Sequence, residues 1–295
     1  MIGHRNQKNT RLDLILLALI FSALAYLGYR VTMQLQYTWH WSVIPQYLFR
    51  YDEQQQRWVA NYLVLGLLTT LRLSIYAGIP ALLIGLCMAL ARTSNSLFLQ
   101  MTGRTYIELL RNLPPLVIIF LVYFFLADQL TPLLGLDELV MHISPQAAHM
   151  LAVFVAPPAS LSAFLSAVLT MAVFEGAYIA EILRGGIEAV AGGQWEAAHA
   201  LGLTRGQTLR HIILPQTFRQ VLPPLAGQFI SLIKDSSIVS VISIQELTYQ
   251  GTQLMASTYM TIEVWLVVAL LYFLLTFPCS LLLGRLEQSY AEKPF

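Results

Sequence analysis

Between Asn61 and Ala91 the chain runs for 31 residues with a single charged side chain, Arg72. In a helix rising about 1.5 Å per residue, roughly 20 apolar residues already cross the ~30 Å hydrocarbon core of a bilayer. Five more apolar runs follow the same pattern, at about 12–33, 105–127, 161–183, 221–244 and 264–284. In lipid, backbone N–H and C=O groups must find partners within their own segment, so such runs are expected to be helical. Composition points the same way. Of 295 residues, 57% are hydrophobic and 11% charged, whereas about 25% are charged in a typical soluble domain; mean hydropathy is +0.63. The expectation is an all-α membrane protein with about six transmembrane helices. The net charge of +1 offers no basic field for nucleic acid. Cys87 and Cys279 stand in apolar runs away from any CxxC pattern and read as small buried hydrophobes.

Arg5, Lys8 and Arg11 precede the first run, and Ala23-Leu24-Ala25 resembles a signal cleavage site. The apolar stretch continues through Tyr26, Leu27 and Tyr29, which suits an uncleaved span better. Basic residues then set orientation. With a cytoplasmic N-terminus, the inner segments hold Arg5, Lys8, Arg11, Arg92, Arg104, Arg111, Arg184, Arg205, Arg210, Arg219, Arg285 and Lys293, twelve of the seventeen Lys and Arg residues. Segments 128–160 and 245–263 contain none. Both termini are therefore expected inside. Segment 128–160 is too long for a turn and is expected to hold a short amphipathic helix on the outer surface. Tyr37, Trp39, Trp41, Tyr47 and Trp58 in the first outer loop read as interface anchors. The organisation expected is a first helix and outer loop at 1–60, a membrane domain at 61–284 and a cytoplasmic tail at 285–295.

One inner segment is neither apolar nor short. EAAHALGLTRGQTLRHIILP, residues 196–215, carries Glu196, Arg205, Arg210 and two histidines, with apolar positions at helical spacing. Glu196 is expected in the first turn of a short helix, where a carboxylate suits the positive end of the dipole. Gly202 fits the helix end, Thr204 can cap a second helix, and Pro215 is expected to end or redirect that helix. Physical chemistry alone leaves two readings open, a helix lying on lipid headgroups and a helix that docks on another protein.

The spacing resembles the cytoplasmic EAA motif of ABC importer permeases: Glu-Ala-Ala, three residues, Gly, nine residues, Ile, one residue, Leu-Pro. Glu196, Ala197, Ala198, Gly202, Ile212, Leu214 and Pro215 occupy its fixed positions. TLRLSIYAG (70–78), ELLRNLPPLVIIFLVYF (108–124), GAYIAEILRGGIEAV (176–190) and GQFISLIKDSSIVSVISIQEL (227–247) are similar to the polar amino-acid uptake subfamily. The resemblance implies a five-span type I permease core, preceded here by one extra span, in a bacterial inner membrane. It implies a coupling helix within 194–215 that docks on a separate ATPase subunit, with ATP and Mg bound there and no cofactor on this chain. It further implies a second permease subunit, identical or paralogous, and an external solute-binding protein. The chain itself lacks GxxxxGK[ST], HExxH and GxSxG, and its six histidines are scattered, so neither enzyme chemistry nor a metal site is expected. A secondary transporter or channel working without an ATPase is the alternative; no inverted repeat supports it. Two departures from the subfamily stand out, the long segment 128–160 and an acid at position 175.

Charges inside the membrane each need a reason, since one at mid-bilayer costs at least about 2.5–3.5 kcal/mol on insertion scales. Lys234 and Asp235 fall near the middle of the fifth run, followed by Ser236 and Ser237. Neighbours on a helix project about 100° apart, so Lys234 and Asp235 do not pair neatly. They either line the substrate path or form structural ion pairs with Glu175 or Arg72. In the path reading, the cation takes an amino-acid carboxylate and the acids take the ammonium. Arg72 reads equally as a snorkelling side chain or a substrate contact. Glu181 is expected to pair with Arg184 one turn away.

Overall fold

The computed structural model describes residues 10–34, 37–54, 56–127, 129 and 135–291. They form two compact units, 1–42 and 43–295. The first unit holds helix α1, Thr10–Gln34, with an apolar stretch at Leu14–Arg30. In the same unit the rings of Trp39 and Trp41 stack at 5.9 Å, with Tyr37 edge-on to Trp39. Arg5 and Lys8 before α1, and Lys293 in the tail, lie outside the described residues.

The second unit opens with a short helix α2, Ile44–Leu48, and a two-stranded antiparallel hairpin, β1 Phe49–Asp52 and β2 Arg57–Ala60. An all-α expectation missed this hairpin. Its register sets Tyr51 opposite Trp58, whose rings meet edge-on at 5.7 Å. Directly opposed aromatic pairs of this kind stabilise isolated ribbons.

Helices long and apolar enough to cross a membrane follow. They are α3 (Tyr62–Arg92), the long helix α8 (Leu161–Ala189), the stretch Arg205–Ile242 built around α11 (Leu214–Asp235), and α13 (Thr261–Ala291). Glycines let these helices approach closely. A Cβ on Gly85 of α3 would meet Ile179 Cγ2 of α8 at 2.5 Å, and one on Gly186 would overlap Val221 of α11. Leu73, Ala77, Phe164, Met171 and Phe174 fill the main core between α3 and α8.

The third expected span is not one helix. Residues 97–127 form α4, Leu97–Asn112, and α5, Pro115–Val122 with its π-turn Tyr123–Ala127, bent by 120°. Pro114 and Pro115 cannot donate the backbone hydrogen bonds that would continue α4; Pro115 instead starts α5 at a position where no donor is needed. The described part thus has four membrane-length helices, or five if the bent pair counts as one span. Within the segment 128–160, short helices α6 (Leu136–Met141) and α7 (Pro145–Phe154) are formed, the second capped by Ser144; residues 128 and 130–134 lie outside the described set.

Two local expectations need correction. Glu196 stands in the second turn of α9 (Gly192–Ala200), not the first, because the helix begins at Gly192. Pro215 does not end its helix. The short helix α10, Arg205–Thr208, runs into a π-turn, Leu209–Ile213, and on into α11, where Pro215 occupies the first turn. The wider turn accommodates the missing donor, so the chain passes continuously from the EAA region into a membrane helix. Lys234 and Asp235 correspondingly close α11 rather than sit mid-helix, and a 3₁₀ segment, Ser236–Ile242, follows. The last apart, α12 (Leu247–Thr258), packs between α3 and α13.

Candidate functional site

The EAA region is a protruding tip on a packed base. Trp195, Leu209, Ile212 and Ile213 pack with Ile187 and Val190 at the end of α8, and Ala198 is fully buried. Glu196, Ala197 and His199 are exposed, and Leu201 is 78% exposed. The helix closes in a Schellman arrangement: Leu203 N donates to Ala198 O at 3.1 Å and Gly202 N to His199 O at 2.9 Å. Gly202 has φ +76°, which a side chain would make costly. Thr204 starts α10 through a reciprocal capping box with Gln207.

Sequence reading gave Arg205 no role beyond its positive charge. Its guanidinium donates to the main-chain oxygen of Thr93 and to Asn95 Oδ1, and lies 5.6 Å from the Trp195 ring centroid. One side chain therefore ties the EAA helix to the end of α3, where a cation also complements the helix dipole. Nearby, Glu181 takes a two-pronged contact from Arg184 at 2.6 and 2.9 Å, with Arg92 and Arg111 each at 3.6 Å. That network joins α3, α4 and α8.

Inside the helical body, Glu175 of α8 is fully buried. Its Oε2 accepts a 2.8 Å hydrogen bond from Gln228 Nε2 on α11. Asp235 of α11 is near enough for its charge to act on Glu175. Two carboxylates offer each other only lone pairs. Among the described residues, Glu175 Oε1 receives no hydrogen bond, so it is left open to a donor. Gln228 lies seven residues before Asp235, two helical turns away and on the same face. Among the described residues it is also the sole polar one lining an apolar cavity of about 400 Å³ between α3 and α11.

The other candidate residues go elsewhere. Lys234 and Ser237 line a separate cavity of about 410 Å³ with Thr248, Trp265 and Tyr272. Among the described residues no ion pair within 4 Å joins Lys234 to Glu175, or Asp235 to Arg72. Ser236 is buried and donates to its own chain at Ile233 O, 2.8 Å. Arg72 lines a third cavity, of about 430 Å³, near the Tyr62 end of α3.

A further buried acid had no sequence signal. Glu246 caps α12, accepting from Tyr249 N at 2.7 Å and Thr248 N at 2.8 Å, while Tyr272 Oη donates to it at 2.8 Å. Thr70 of α3 adds Oγ1 at 3.4 Å and accepts from Leu247 N at 3.2 Å. Burial pushes Glu246 up to about 7 despite these donors.

Residues 81–292 match the family described as binding-protein-dependent transport system inner membrane component. The probable glutamine ABC transporter permease protein GlnM of Bacillus subtilis is 35% identical over 229 residues, covering 76% of this chain and 93% of that protein. The glutamine transport system permease protein GlnP of Escherichia coli K12 is 35% identical over 226 residues, covering 77% and 91%. A crystal structure described as an amino acid ABC transporter with histidines superposes with a TM-score of 0.64 at 31% identity, covering 86% of this chain and all of that one. An inward-facing methionine ABC transporter, MetNI, shares the fold at TM-score 0.53 and 18% identity. With the EAA tip, the glycine-packed membrane helices and a family match over most of its length, the chain belongs to the binding-protein-dependent transport system inner membrane components and is a permease subunit of an ABC-type importer.

Proposed function

We propose that the chain forms the translocation path for a polar amino acid, delivered by a solute-binding protein and driven by ATP and Mg on a separate ATPase subunit. The observation that carries this reading is the tip that exposes Glu196, Ala197, His199 and Leu201, held on a packed base and continuous through the π-turn with α11. A docking partner that moves the tip would move α11, and with it Gln228 and Asp235. In this reading residues 61–284 carry transport and 194–215 contain the coupling helix, with Glu196, Ala197, Ala198, Gly202, Ile212, Leu214 and Pro215 as its fixed positions. Two such subunits, identical or paralogous, would enclose the path. The EAA tip and both termini face the cytoplasm of a bacterial inner membrane, and the Tyr62 end of α3 faces out.

Glu175 and Asp235 would receive the substrate ammonium, with Gln228 holding Glu175 in place. Lys234 with Ser237 offers a cationic wall for a carboxylate, Ser236 shapes the turn after α11, and Arg72 stands toward the mouth. The named relatives include two glutamine permeases, which supports a polar amino acid as cargo. The test is reconstitution in proteoliposomes with the ATPase subunit and the binding protein. ATP-dependent glutamine uptake is expected, and removal of residues 196–204 should abolish copurification of the ATPase while insertion persists. Uptake by the chain alone, or an ATPase that still copurifies with the deletion, would overturn the reading.

A further inference from the structure

The cavity around Arg72 has a chemistry of its own. It is lined by residues of α3, the 152–164 region and the 243–250 segment. Among the described residues Arg72 is its only charged lining residue; Thr69, Ser160, Ser243, Gln245 and Gln250 supply neutral polar groups. An adjoining cavity of about 410 Å³ shares Tyr62, Gln245 and Gln250 and adds Tyr249 and Gln253, with no charged residue among those described. Arg72 makes no hydrogen bond or ion pair with any described residue. The lining shares no residue with the Glu175–Gln228–Asp235 group.

The wall is built to shape. Ser243 has φ +64°, a left-handed conformation unusual outside glycine, and it turns the chain so that Ile244 and Gln245 line the space. Gly66 lets α3 touch the 246–250 backbone: a Cβ there would lie 2.9 Å from Leu247 Cα and 2.9 Å from Gln250 Cγ. Glu246, pinned by four groups from three elements, fixes the same segment from behind. A volume of about 430 Å³ falls in the ordinary range for a small-molecule pocket, ~300–1,000 Å³.

We propose that Arg72, with the amide wall of Gln245 and Gln250, is an entry site that takes the carboxylate of an amino acid of zero or negative net charge and disfavours cationic amino acids. Arg72 supplies a planar two-donor fork for the carboxylate. The amides can donate to or accept from a neutral polar side chain. Among the described residues no acid lines either cavity to neutralise a second positive charge, so a lysine or arginine substrate meets like-charge repulsion at Arg72. The inference rests on the amino-acid permease reading above and adds a charge filter to its outer end.

The test is direct binding of glutamine, glutamate and arginine to the purified permease–ATPase complex in nanodiscs, without the binding protein. Wild type is expected to bind glutamine and glutamate at least about tenfold more tightly than arginine. Arg72→Gln is expected to weaken the first two by about tenfold or more and to erase the preference over arginine. Arg72→Lys should keep arginine out, because the charge remains, and Gln250→Leu should weaken glutamine alone. If Arg72→Gln fails to assemble, the Lys and Leu variants decide, and unchanged binding in Gln250→Leu overturns the proposal. Wild-type binding without preference, no detectable binding of any of the three, or an unchanged order in Arg72→Gln also overturns it. ATP-driven glutamine uptake by the wild-type assembly separates the two levels: if uptake occurs and the filter is absent, this inference alone falls; if no uptake occurs, the permease reading falls with it.

Discussion

The guanidinium of Arg205 reaches across 112 residues of chain to the main-chain oxygen of Thr93. It thereby fastens the EAA region to the end of α3, while Trp195 packs under it. Lysine keeps the charge but not the planar fork that serves Thr93 and Asn95 together. Arg205→Ala is expected to leave the chain inserted and the ATPase bound, yet to lower the substrate carried per ATP hydrolysed by about fivefold or more, as a contact worth about 1–2 kcal/mol is lost. Arg205→Lys should recover only part. Simultaneous uptake and phosphate-release measurements on one proteoliposome preparation check this, and an unaltered ratio in Arg205→Ala would remove Arg205 from the coupling route.

At Gly202 the argument is conformational. A Cβ there meets nothing within 4 Å, so the cost of Gly202→Ala comes from φ +76° alone. That cost is about 1–2 kcal/mol, and it falls on the bend that presents Glu196 and Leu201. The expected result is a five- to thirtyfold weaker ATPase affinity with the melting temperature of the membrane body unchanged. Surface-immobilised permease titrated with the ATPase subunit reads the affinity, and a thermal melt in detergent reads the second; unchanged affinity would remove the Gly202 bend from the docking surface.

Gly85 presents the opposite case, in which space decides. Alanine would press on Ile179 Cγ2 at 2.5 Å and Cβ at 2.8 Å, and overpacking of this kind costs about 1–3 kcal/mol. Gly85→Ala is expected to lower the detergent melting temperature. Adding Ile179→Ala should restore part of it by removing the opposing atoms. A double variant less stable than both singles would mean that α3 and α8 do not meet closely at this point.

How much of this was legible beforehand depends on the range of the interaction involved. Long apolar runs set the membrane helices, and local signals at Gly202, Thr204 and Gln207 set the ends of the EAA helices, because each acts within a few residues. The pair Pro114-Pro115 was legible as the start of a span, but the 120° break before it was not, because a proline pair begins a helix equally well whether or not another helix precedes it. Gln228 was within reach, since an amide in an apolar run, two turns before Asp235, marks a shared face. Glu246 was not: its partners Thr70 and Tyr272 lie 176 and 26 residues away. Arg205 fell between these cases, its partner Trp195 being local and its partner Thr93 distant.

Glu246 also gives a pH prediction. Its folded value, about 7, lies above the ordinary carboxylate value of 4.5, with burial as the main cause. The folded state therefore holds a proton that the unfolded chain has released, and stability contributed by this group is present at low pH and declines as pH rises from about 4.5 to 7. Wild type is expected to lose melting temperature across that window. Glu246→Gln should start lower, because one amide hydrogen must face a backbone donor, and should show a flatter slope. Parallel slopes for the two proteins between pH 5 and 7.5 would assign the pH dependence to other groups.

The carboxyl pair of Glu175 and Asp235 yields the sharpest test of the substrate path. Gln228 can still donate to an amide oxygen at position 175, so Glu175→Gln removes the charge while keeping that hydrogen bond. A charge-assisted hydrogen bond to an ammonium contributes about 1.5–3 kcal/mol, so Glu175→Gln and Asp235→Asn are each expected to slow uptake by roughly ten- to a hundredfold or more. Assembly with the ATPase and basal ATP hydrolysis should persist, because neither group touches the EAA tip. If the two carboxyls hold one ammonium between them, the double variant should cost little more than the worse single, as groups acting as a unit are not additive. If they act separately, the losses should multiply. Near-wild-type uptake in either single variant would take that residue out of the path and leave the pair as a buried structural contact between α8 and α11.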